Sequence, residues 1–588
     1  MGNAVNVSIG HDVLEEDAFG DAVSMNKRAL ALCPANPRFL VLAGQAAARA
    51  NDRAAAIVWR DRAHAVQPGN PDVHYLMAIL HLQAFNGPEG IRSAHLAVRG
   101  DPTRAEFHYM FGIAMSLSRA PEIAVAAYRR AIALRPTYVD AVMGILHQRK
   151  ALCDWHDAAF LERLVERFAD GNAGFSPGLM LAVGACGVRQ LNVASRFSAR
   201  YKAPPLPARP LPPPVSRVLR IGYLSSDFRQ HATAHLIAGL FEAHDRAAVH
   251  VSAYSLVDAP RDEARLRIEQ GVDSFVDVSR LSDEAAAHRI AADRLDILVD
   301  LNGLTSGCRP GILARRPAPH QVTYLGYPGT TGSPWIDYLI ADDTVIPPHL
   351  EDRFSERILR MRCYQVNDRR RPRPDKAPAR EELGLPNDAV VFASFNGSYK
   401  ITPNMFGCWM RILHAVPGSV LWVLAPAPAM ETLRRYASRC GIDPKRLVGA
   451  SREPIPRHIA RHRCADLMLD TFPCNGHTTT SDALWAGLPV LTLSGETFAS
   501  RVAASLLKAV GLPMMVTDTM DAYMRRAVEL GRSPETLKVM ASHLDAKRDA
   551  FPLFDTDAQA REIETLFRTI AGGGATAGAG PDSIPSAR

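Results

Sequence analysis

The chain has 588 residues, of which 47% are hydrophobic and 22% charged, and its formal net charge is +7. This length exceeds what one hydrophobic core fills and predicts roughly three to four structural units. Apolar runs stay shorter than the ~20 residues that a membrane span requires. The nine scattered cysteines, without a C-x-x-C pair, argue against a disulfide framework and a cysteine-rich zinc site. Acidic residues stand where a signal peptide carries a basic and then an apolar stretch, so we expect a cytoplasmic protein.

Four prolines near the start of the chain recur at an unbroken spacing of 34 residues: Pro34, Pro68, Pro102 and Pro136. Small residues repeat in the same register, in the columns Gly10, Gly44, Ala78 and Gly112; Ala22, Ala56, Gly90 and Ala124; and Ala29, Ala63, Ala97 and Ala131. Small side chains let two helices approach closely, and a proline ends a helix because it lacks the amide donor. The pattern resembles the tetratricopeptide repeat and predicts an α-helical solenoid over residues 3–150, with about four repeats and a capping helix.

Solenoids of this kind serve either as passive spacers or as concave surfaces that hold an extended polypeptide. We favour the second role, so a protein or peptide is the expected partner. The sequence has no basic stretch with interleaved aromatic residues of the kind that binds nucleic acid. Its densest basic run, residues 369–373, lies in a proline-broken stretch and is predicted to be a solvated linker.

Residues 151–215 are predicted to form a helical segment and then a stiff proline-rich linker. Beyond it, apolar runs of strand length alternate with amphipathic helices, which predicts parallel α/β sheets. We expect two Rossmann-like lobes, at residues 216–367 and 381–570, joined by an inter-lobe linker at 368–380. Ligands bind beyond the carboxyl ends of such strands, so a cleft between the lobes is the expected site. A Gly/Ala/Ser/Pro tail at 571–588 is predicted to be disordered.

The most informative segment is 465–489, which has the pattern strand, loop, helix. Its loop brings Gly476, His477, Thr478 and Thr479 to the start of the helix. Unpaired amides there, together with the positive end of the helix dipole and two hydroxyl donors, form an anion site that fits a diphosphate. The alternative is simple helix capping by Thr478 or Thr479, which a single such residue would accomplish.

Several long motifs carry a family resemblance. The segment Asp470–Pro489 resembles the donor-site loop of the O-linked N-acetylglucosamine (O-GlcNAc) transferases. Further matches are Leu152–Trp155, Ser225–His231, Arg316–Pro319, Leu325–Thr330, Phe395–Lys400 and Gly495–Ser505. The resemblance implies a GT-B fold of two Rossmann-like lobes after the repeats. It also implies inverting transfer of N-acetylglucosamine from UDP-GlcNAc to Ser or Thr of proteins, with the UDP-sugar as donor substrate. We expect no metal or other cofactor, because Lys400 and the helix amides at 477–479 can neutralise the diphosphate.

The resemblance also assigns roles to single residues. Lys400 and the helix amides would neutralise the departing diphosphate. The expected donor-binding residues are His477, Thr478 and Thr479 at the diphosphate and sugar, Asp482 at the ribose hydroxyls, and His458 stacked on uracil with Arg461 nearby. His231 would face the sugar and the acceptor hydroxyl. The proton acceptor stays open among His231, Asp227, a water chain and the donor phosphate.

Some features point away from the animal members of that family. Gly397 and Ile455 stand where those enzymes carry polar side chains near the nucleotide. The D-x-D sequence Asp555–Asp557, a potential metal motif, lies near the C-terminus, outside any strand-end loop.

Three alternatives for the function stay open. One is the same fold acting with another UDP-hexose or on an Asn acceptor, another is a tetratricopeptide scaffold with weakened catalysis, and the third is a sugar-nucleotide epimerase.

Overall fold

The computed structural model describes residues 30–49, 52–84, 86–156, 177–207, 217–373 and 376–573, with isolated positions between 160 and 169. Most of the first predicted repeat and nearly all of the predicted tail lie outside these residues. Within the described ranges, no helix combines the length and the apolar character that crossing a bilayer requires.

The described N-terminal region consists of helices that pack against their neighbours along the chain. They are α1 (Pro37–Arg49), α2 (Arg53–Val66), α3 (Pro71–Gln83), α4 (Gly87–Gly100), α5 (Ala105–Leu117), α6 (Pro121–Leu134) and α7 (Val139–Ala151). The repeated alanines Ala63, Ala97 and Ala131 are fully buried where these helices meet. At Gly112 of the same pattern, an added Cβ would come within 2.5 Å of the Tyr128 ring. The prediction of helical repeats is therefore confirmed for these residues, and small side chains are required because the helices touch there.

Two shorter helices follow the repeats, α8 (Pro177–Val183) and α9 (Gly187–Ser198). Their apolar side chains Leu181 and Phe197 share one buried cluster with Tyr327 of the first lobe and with Cys474 of the second. This helical segment therefore contacts both lobes. The sequence predicted helices here but no such bridging position.

The first lobe is a seven-stranded parallel sheet of order β3-β2-β1-β4-β5-β6-β7. Its strands are β1 (Leu219–Ser225), β2 (Val249–Ser255), β3 (Ser274–Asp277), β4 (Ile297–Asp300), β5 (His320–Thr323), β6 (Tyr338–Ala341) and β7 (Arg357–Arg360). Helices α10 (Ala232–Ala243), α11 (Glu263–Gln270), α12 (Asp283–Ala292) and α13 (Pro310–Ala314) connect them. The strand order reverses direction after β3, as in the Rossmann-like lobe that the alternating pattern predicted.

The second lobe is a six-stranded parallel sheet of order β10-β9-β8-β11-β12-β13. Its strands are β8 (Val391–Ser394), β9 (Val420–Leu424), β10 (Leu447–Ala450), β11 (Leu467–Leu469), β12 (Val490–Leu493) and β13 (Val516–Thr517). Its helices are α14 (Pro403–Ala415), α15 (Ala427–Arg439), α16 (Ile455–Arg461), α17 (Thr478–Trp485), α18 (Val502–Ala509), α19 (Met520–Gly531) and α20 (Pro534–Lys547). The two-lobed α/β architecture expected from the sequence is confirmed.

The last described helix, α21 (Thr556–Ala571), packs against the first lobe. Glu564 lies 2.8 Å from the His244 imidazole, and Arg568 donates to the Ala248 carbonyl at 2.7 Å. The sequence analysis assigned this helix to the second lobe at 381–570. In the structure α21 packs with the first lobe instead, because its buried face lies against α10.

The basic run at 369–373 is only partly solvated, which corrects the expectation of a solvated linker. Arg371 is buried and donates a 2.7 Å hydrogen bond to Asp482, while Arg370 pairs with Glu242 of the first lobe at 2.9 Å. The run therefore connects the lobes through ion pairs as well as through the chain.

Gly326 provides a test of this packing. An added Cβ would lie 1.9 Å from the Leu301 carbonyl oxygen, so the backbone after β4 or β5 must shift to admit any side chain. We expect Gly326→Ala to lower the free energy of unfolding by at least ~2 kcal/mol. Urea unfolding monitored by circular dichroism measures the change.

The matched control is Gly407→Ala in α14, where an added Cβ meets nothing within 4 Å. That variant should gain about 0.5–1 kcal/mol, because alanine favours a helix interior over glycine. Equal effects of the two substitutions would contradict the close approach at Gly326.

Candidate functional site

The candidate site lies at the carboxyl ends of the second-lobe strands β8, β11 and β12, where three loops converge. Its centre is the Asp470 side chain, which is fully buried directly after β11. One carboxylate oxygen accepts hydrogen bonds from Asn396 Nδ2, Thr471 N and Gly476 N at 2.9, 2.9 and 2.7 Å. The other oxygen accepts from Thr492 Oγ1 at 2.7 Å. One carboxylate thus joins all three strand ends and holds the loop after β11 in place.

Burial raises the pKa of Asp470 to about 6, because a charged carboxylate loses its hydration there. The hydrogen-bond donors and the charge of Lys400 oppose that rise. Asp470 belongs to the motif recognised in the sequence, but no role was assigned to it. A lone acidic residue at the end of a buried strand was the available signal.

The loop that Asp470 holds leads into α17. His477 is the N-cap of this helix, and its side chain makes no capping hydrogen bond. Thr478 and Thr479 form the first turn, and within the described structure neither hydroxyl has a hydrogen-bond partner. The alternative of simple capping by a threonine is therefore wrong. The amides and hydroxyls of this turn are available to an anionic ligand.

Lys400 stands beside this loop, at the end of the short 3₁₀ turn Ser398–Lys400 that follows β8. Its ammonium group donates to the Asn475 carbonyl at 2.6 Å. Burial lowers the pKa of Lys400, but Cys474, Tyr399 and Asp470 outweigh burial and raise it overall. The lysine is thus a fixed positive charge next to the start of α17.

His477 is neutral in this setting. Burial and the nearby charge of Lys400 lower the pKa of His477 to about 3. Its Nε2 lies 3.5 Å from the Ala499 carbonyl oxygen. A neutral imidazole can accept or donate one hydrogen bond to a bound ligand without adding a second charge beside Lys400.

His458 and Arg461 lie on α16 and act as a pair. Arg461 donates to His458 Nδ1 at 2.7 Å and to the Ser451 carbonyl at 2.5 Å, and its guanidinium stacks over the Phe395 ring at 4.7 Å. Arg461 is only 1% exposed, so it orients the His458 ring and does not itself present a ligand-binding group. Burial lowers the pKa of His458 to about 2, and a neutral ring suits stacking on a base.

The first-lobe candidate His231 is the N-cap of α10. Its Nδ1 lies 3.4 Å from Asp227 Oδ2 and 3.3 Å from the Thr233 amide, so both neighbours restrain the ring. Burial lowers the pKa of His231, and Asp227 opposes that change. The ring is therefore neutral near pH 7 and can receive a proton. One turn along α10, burial and the nearby charge of Arg371 lower the pKa of His235 to about 4, so this helix start lies beside the inter-lobe linker.

The junction between repeats and lobes contacts the lysine turn directly. Cys153 Sγ donates to the Ser398 carbonyl at 3.6 Å, and Trp155 Nε1 donates to the Ile401 carbonyl at 3.2 Å. These carbonyls lie on either side of Lys400 along the chain. The end of the solenoid and the candidate catalytic lysine are therefore one packed unit.

The D-x-D sequence has a structural role. Asp555 caps α21 by accepting from the Ala558 amide at 3.0 Å, and Asp557 pairs with Arg369. In the part of the chain that the structure describes, no group of three or more His, Cys, Asp or Glu side chains is placed to hold a metal ion.

The fold and the site together define a GT-B glycosyltransferase architecture, with a repeat region ahead of two Rossmann-like lobes. The chain belongs to glycosyl transferase family 41, whose sequence model matches residues 211–375 and 367–563.

Several known proteins are similar to this chain. A probable UDP-N-acetylglucosamine–peptide N-acetylglucosaminyltransferase, SEC of Arabidopsis thaliana, is 36% identical over 449 residues, covering 72% of this chain and 46% of the relative. The UDP-N-acetylglucosamine–peptide N-acetylglucosaminyltransferase of Caenorhabditis elegans is 30% identical over 463 residues, covering 59% and 40%. This chain thus spans less than half the length of the curated relatives it matches. A solved mutant of the Thermobaculum terrenum O-GlcNAc transferase superposes with a TM-score of 0.68 at 28% identity, covering 96% of this chain and 99% of that one.

Asp470→Asn tests the organisation of the site. The amide keeps the shape of the side chain but replaces one acceptor oxygen with a donor, so at least one of the donors held by Asp470 is left unpaired. We expect the free energy of unfolding to fall by about 1–3 kcal/mol at pH 7. Urea unfolding measures it, and Asp388→Asn, an exposed position before β8, serves as the control and should change it by less than ~0.5 kcal/mol. A loss no greater than that of the control would contradict the anchoring role.

Proposed function

We propose that this protein transfers N-acetylglucosamine from UDP-GlcNAc to Ser or Thr hydroxyls of a protein acceptor, with inversion and without a metal ion. The observation that most directly supports this proposal is the position of the Lys400 ammonium group. It is held on the loop that Asp470 anchors, beside the first turn of α17, whose amides and threonine hydroxyls have no partner among the described residues. A positive charge next to free amides and hydroxyls is the environment that a departing diphosphate requires.

The role of Lys400 follows from the charge that the reaction creates. As the bond between the sugar and the diphosphate breaks, negative charge grows on the diphosphate oxygens. Lys400 and the amides of Thr478 and Thr479 stabilise that charge, and they are held in position before the reaction begins. Because these groups supply the stabilisation, the proposed mechanism assigns no step to a metal ion.

The other predicted residues have compatible positions in this proposal. Neutral His458, oriented by Arg461, stacks on the uracil ring, and Asp482 accepts the ribose hydroxyls. Neutral His231 faces the acceptor side from the first lobe. In the single displacement that inversion requires, the acceptor hydroxyl must lose its proton as it attacks the sugar carbon. His231, Asp227, a water chain and the donor phosphate are all candidates to receive that proton.

The acceptor is a protein segment held by the repeats in this proposal. The printed names of the Arabidopsis and nematode relatives, which specify transfer to peptides, support that choice. So does the packing of Cys153 and Trp155 around the Lys400 turn, because a polypeptide lying along the solenoid is thereby led toward the donor site.

A transfer assay tests the proposal as a whole. The full chain is incubated with host lysate and with labelled UDP-GlcNAc, UDP-glucose or UDP-galactose in parallel, and modified peptides are mapped by mass spectrometry. We expect label from UDP-GlcNAc on Ser or Thr, removable by alkaline β-elimination. Label from another UDP-hexose would contradict the proposed donor. Label on Asn that resists elimination would contradict the proposed acceptor. Absence of transfer from every donor would favour a non-catalytic scaffold.

The same assay with 10-fold excess EDTA over divalent ions tests the metal-free mechanism. Because Lys400 and the helix amides carry the leaving-group charge, we expect the initial rate to stay within about twofold of the untreated enzyme. A rate that falls with EDTA and returns with Mg²⁺ or Mn²⁺ would overturn this part of the proposal.

Lys400→Ala tests the leaving-group role. Loss of a fixed charge at the developing diphosphate should lower kcat by at least ~1000-fold, comparable to removing one strong oxyanion donor, while binding of UDP weakens much less. The matched control is Lys508→Ala, an exposed lysine of α18 in the same lobe, which should retain full activity. Turnover of Lys400→Ala at the level of this control would exclude the proposed role.

A further inference from the structure

Arg371 is the buried member of an otherwise exposed basic run in the inter-lobe linker. Its side chain is 6% exposed, whereas those of Arg369 and Arg370 are 50% and 69% exposed. An arginine is desolvated only at considerable cost unless a partner compensates its charge. The burial of this one residue therefore requires a specific reason.

The partner of Arg371 is the predicted ribose ligand. Its Nη1 donates a 2.7 Å hydrogen bond to Oδ1 of Asp482, on α17. The contacts among the described residues leave Oδ2 of that carboxylate without a donor. Asp482 itself is 16% exposed, so the carboxylate is enclosed on the Arg371 side and open elsewhere.

The linker is held so that this contact has a defined geometry. Trp485 Nε1, one turn beyond Asp482 on α17, donates to the Pro372 carbonyl at 2.9 Å. The Arg371 amide donates to the Asp368 carbonyl at 3.2 Å, and Asp368 in turn pairs with Arg267 of the first lobe. The backbone on both sides of Arg371 is therefore fixed, one side to each lobe.

Among the titratable groups described around Arg371 and Asp482, Arg371 itself carries the positive charge. The nearby Arg371 charge contributes to lowering the pKa of two histidines, His235 of α10 and His462 after α16. Burial lowers the pKa of each imidazole to about 4, so both are neutral above pH 5. Asp368 in the linker carries the opposite charge. Burial raises the pKa of Asp482, and Arg371 is the group that opposes the rise.

We propose that Arg371 is a positioning residue of the nucleotide site, which occupies one oxygen of Asp482 and leaves the other to accept a hydrogen bond from a ribose hydroxyl of the donor. This inference rests on the proposed function, because it requires a nucleoside diphosphate sugar at α17. A linker residue thereby joins the donor site, and the ligand chemistry it serves is a ribose diol.

Direct binding of UDP to the full chain tests the inference by isothermal calorimetry. Arg371→Ala should raise the Kd for UDP about 10- to 100-fold, the cost of losing one charge-assisted hydrogen bond that orients a ligand group. Arg371→Lys retains the charge and should recover part of the loss. Arg369→Ala, in the same run but exposed, is the matched control and should bind UDP within twofold of the wild type. In turnover assays, the KM for the donor should rise while the KM for the acceptor stays constant.

A double-mutant cycle separates positioning from a general effect on folding. If Arg371 acts through Asp482, Asp482→Asn alone and Arg371→Ala/Asp482→Asn together should weaken UDP binding to the same extent. Losses that multiply in the double variant would overturn the proposal. A second readout is pH: without Arg371 the pKa of Asp482 rises further, so the UDP affinity of Arg371→Ala should begin to fall at a higher pH than that of the wild type as the pH is lowered. Parallel pH profiles would also contradict it.

The outcomes for the two proposals are distinct. Failure of the wild-type chain to bind UDP would overturn the proposed function itself. Binding of UDP by the wild type with an unchanged Kd in Arg371→Ala would overturn only the role of Arg371. Thermal unfolding of every variant shows whether it is folded. If Arg371→Ala does not fold, Arg371→Lys replaces it, both as the single variant and in the double-mutant cycle with Asp482→Asn.

Discussion

The structure of the site depends on the hydrogen bonds that the buried Asp470 carboxylate accepts. Donors from the loops after β8 and β11 and from β12 converge on its two oxygens. Each donor would lose its hydration without a partner on burial, so the carboxylate compensates several groups at once. The same contacts place the start of α17 next to Lys400. Close approach there also requires glycine at 476, where an added Cβ would come 2.8 Å from the Asn396 side chain and 2.6 Å from that of Thr480.

Burial determines which groups of this site carry charge. It keeps the imidazoles of His458, His462 and His477 neutral, because an imidazolium loses more hydration energy there than the surroundings return. Lys400 stays charged because Asp470 and other neighbours compensate it, and Arg371 because it is paired with Asp482. Fixed positive charge therefore lies beside the loop ahead of α17, at Lys400, and beside Asp482 within that helix, at Arg371. Near neutral pH the charge of this site therefore does not depend on the protonation of these histidines.

Contacts between the parts of the chain give the two lobes and the repeats a common framework. The last helix, α21, returns to the first lobe through Glu564 and His244, and the basic linker pairs with groups of both lobes. The repeat junction packs at Trp155 against Phe406 and Tyr436 of the second lobe. Residues of the repeat junction and of the second lobe therefore meet directly beside Lys400. Movement of the repeat junction is therefore transmitted directly to the lysine turn.

The sequence by itself determined the repeats and the two parallel sheets, because these follow from local spacing: prolines every 34 residues and apolar runs of strand length. It also predicted the candidate site, from the loop Gly476–Thr479 ahead of a helix and, for most of the other residues, from the motifs that resemble a known family. What it could not determine were contacts between residues far apart in the chain. The anchoring by Asp470, the orientation of His458 by Arg461, the burial of Arg371 against Asp482 and the return of α21 to the first lobe all depend on which surfaces meet. A run of arginines beside prolines has the composition of a solvated linker, and only the tertiary structure, by enclosing one of them next to a carboxylate, decided otherwise.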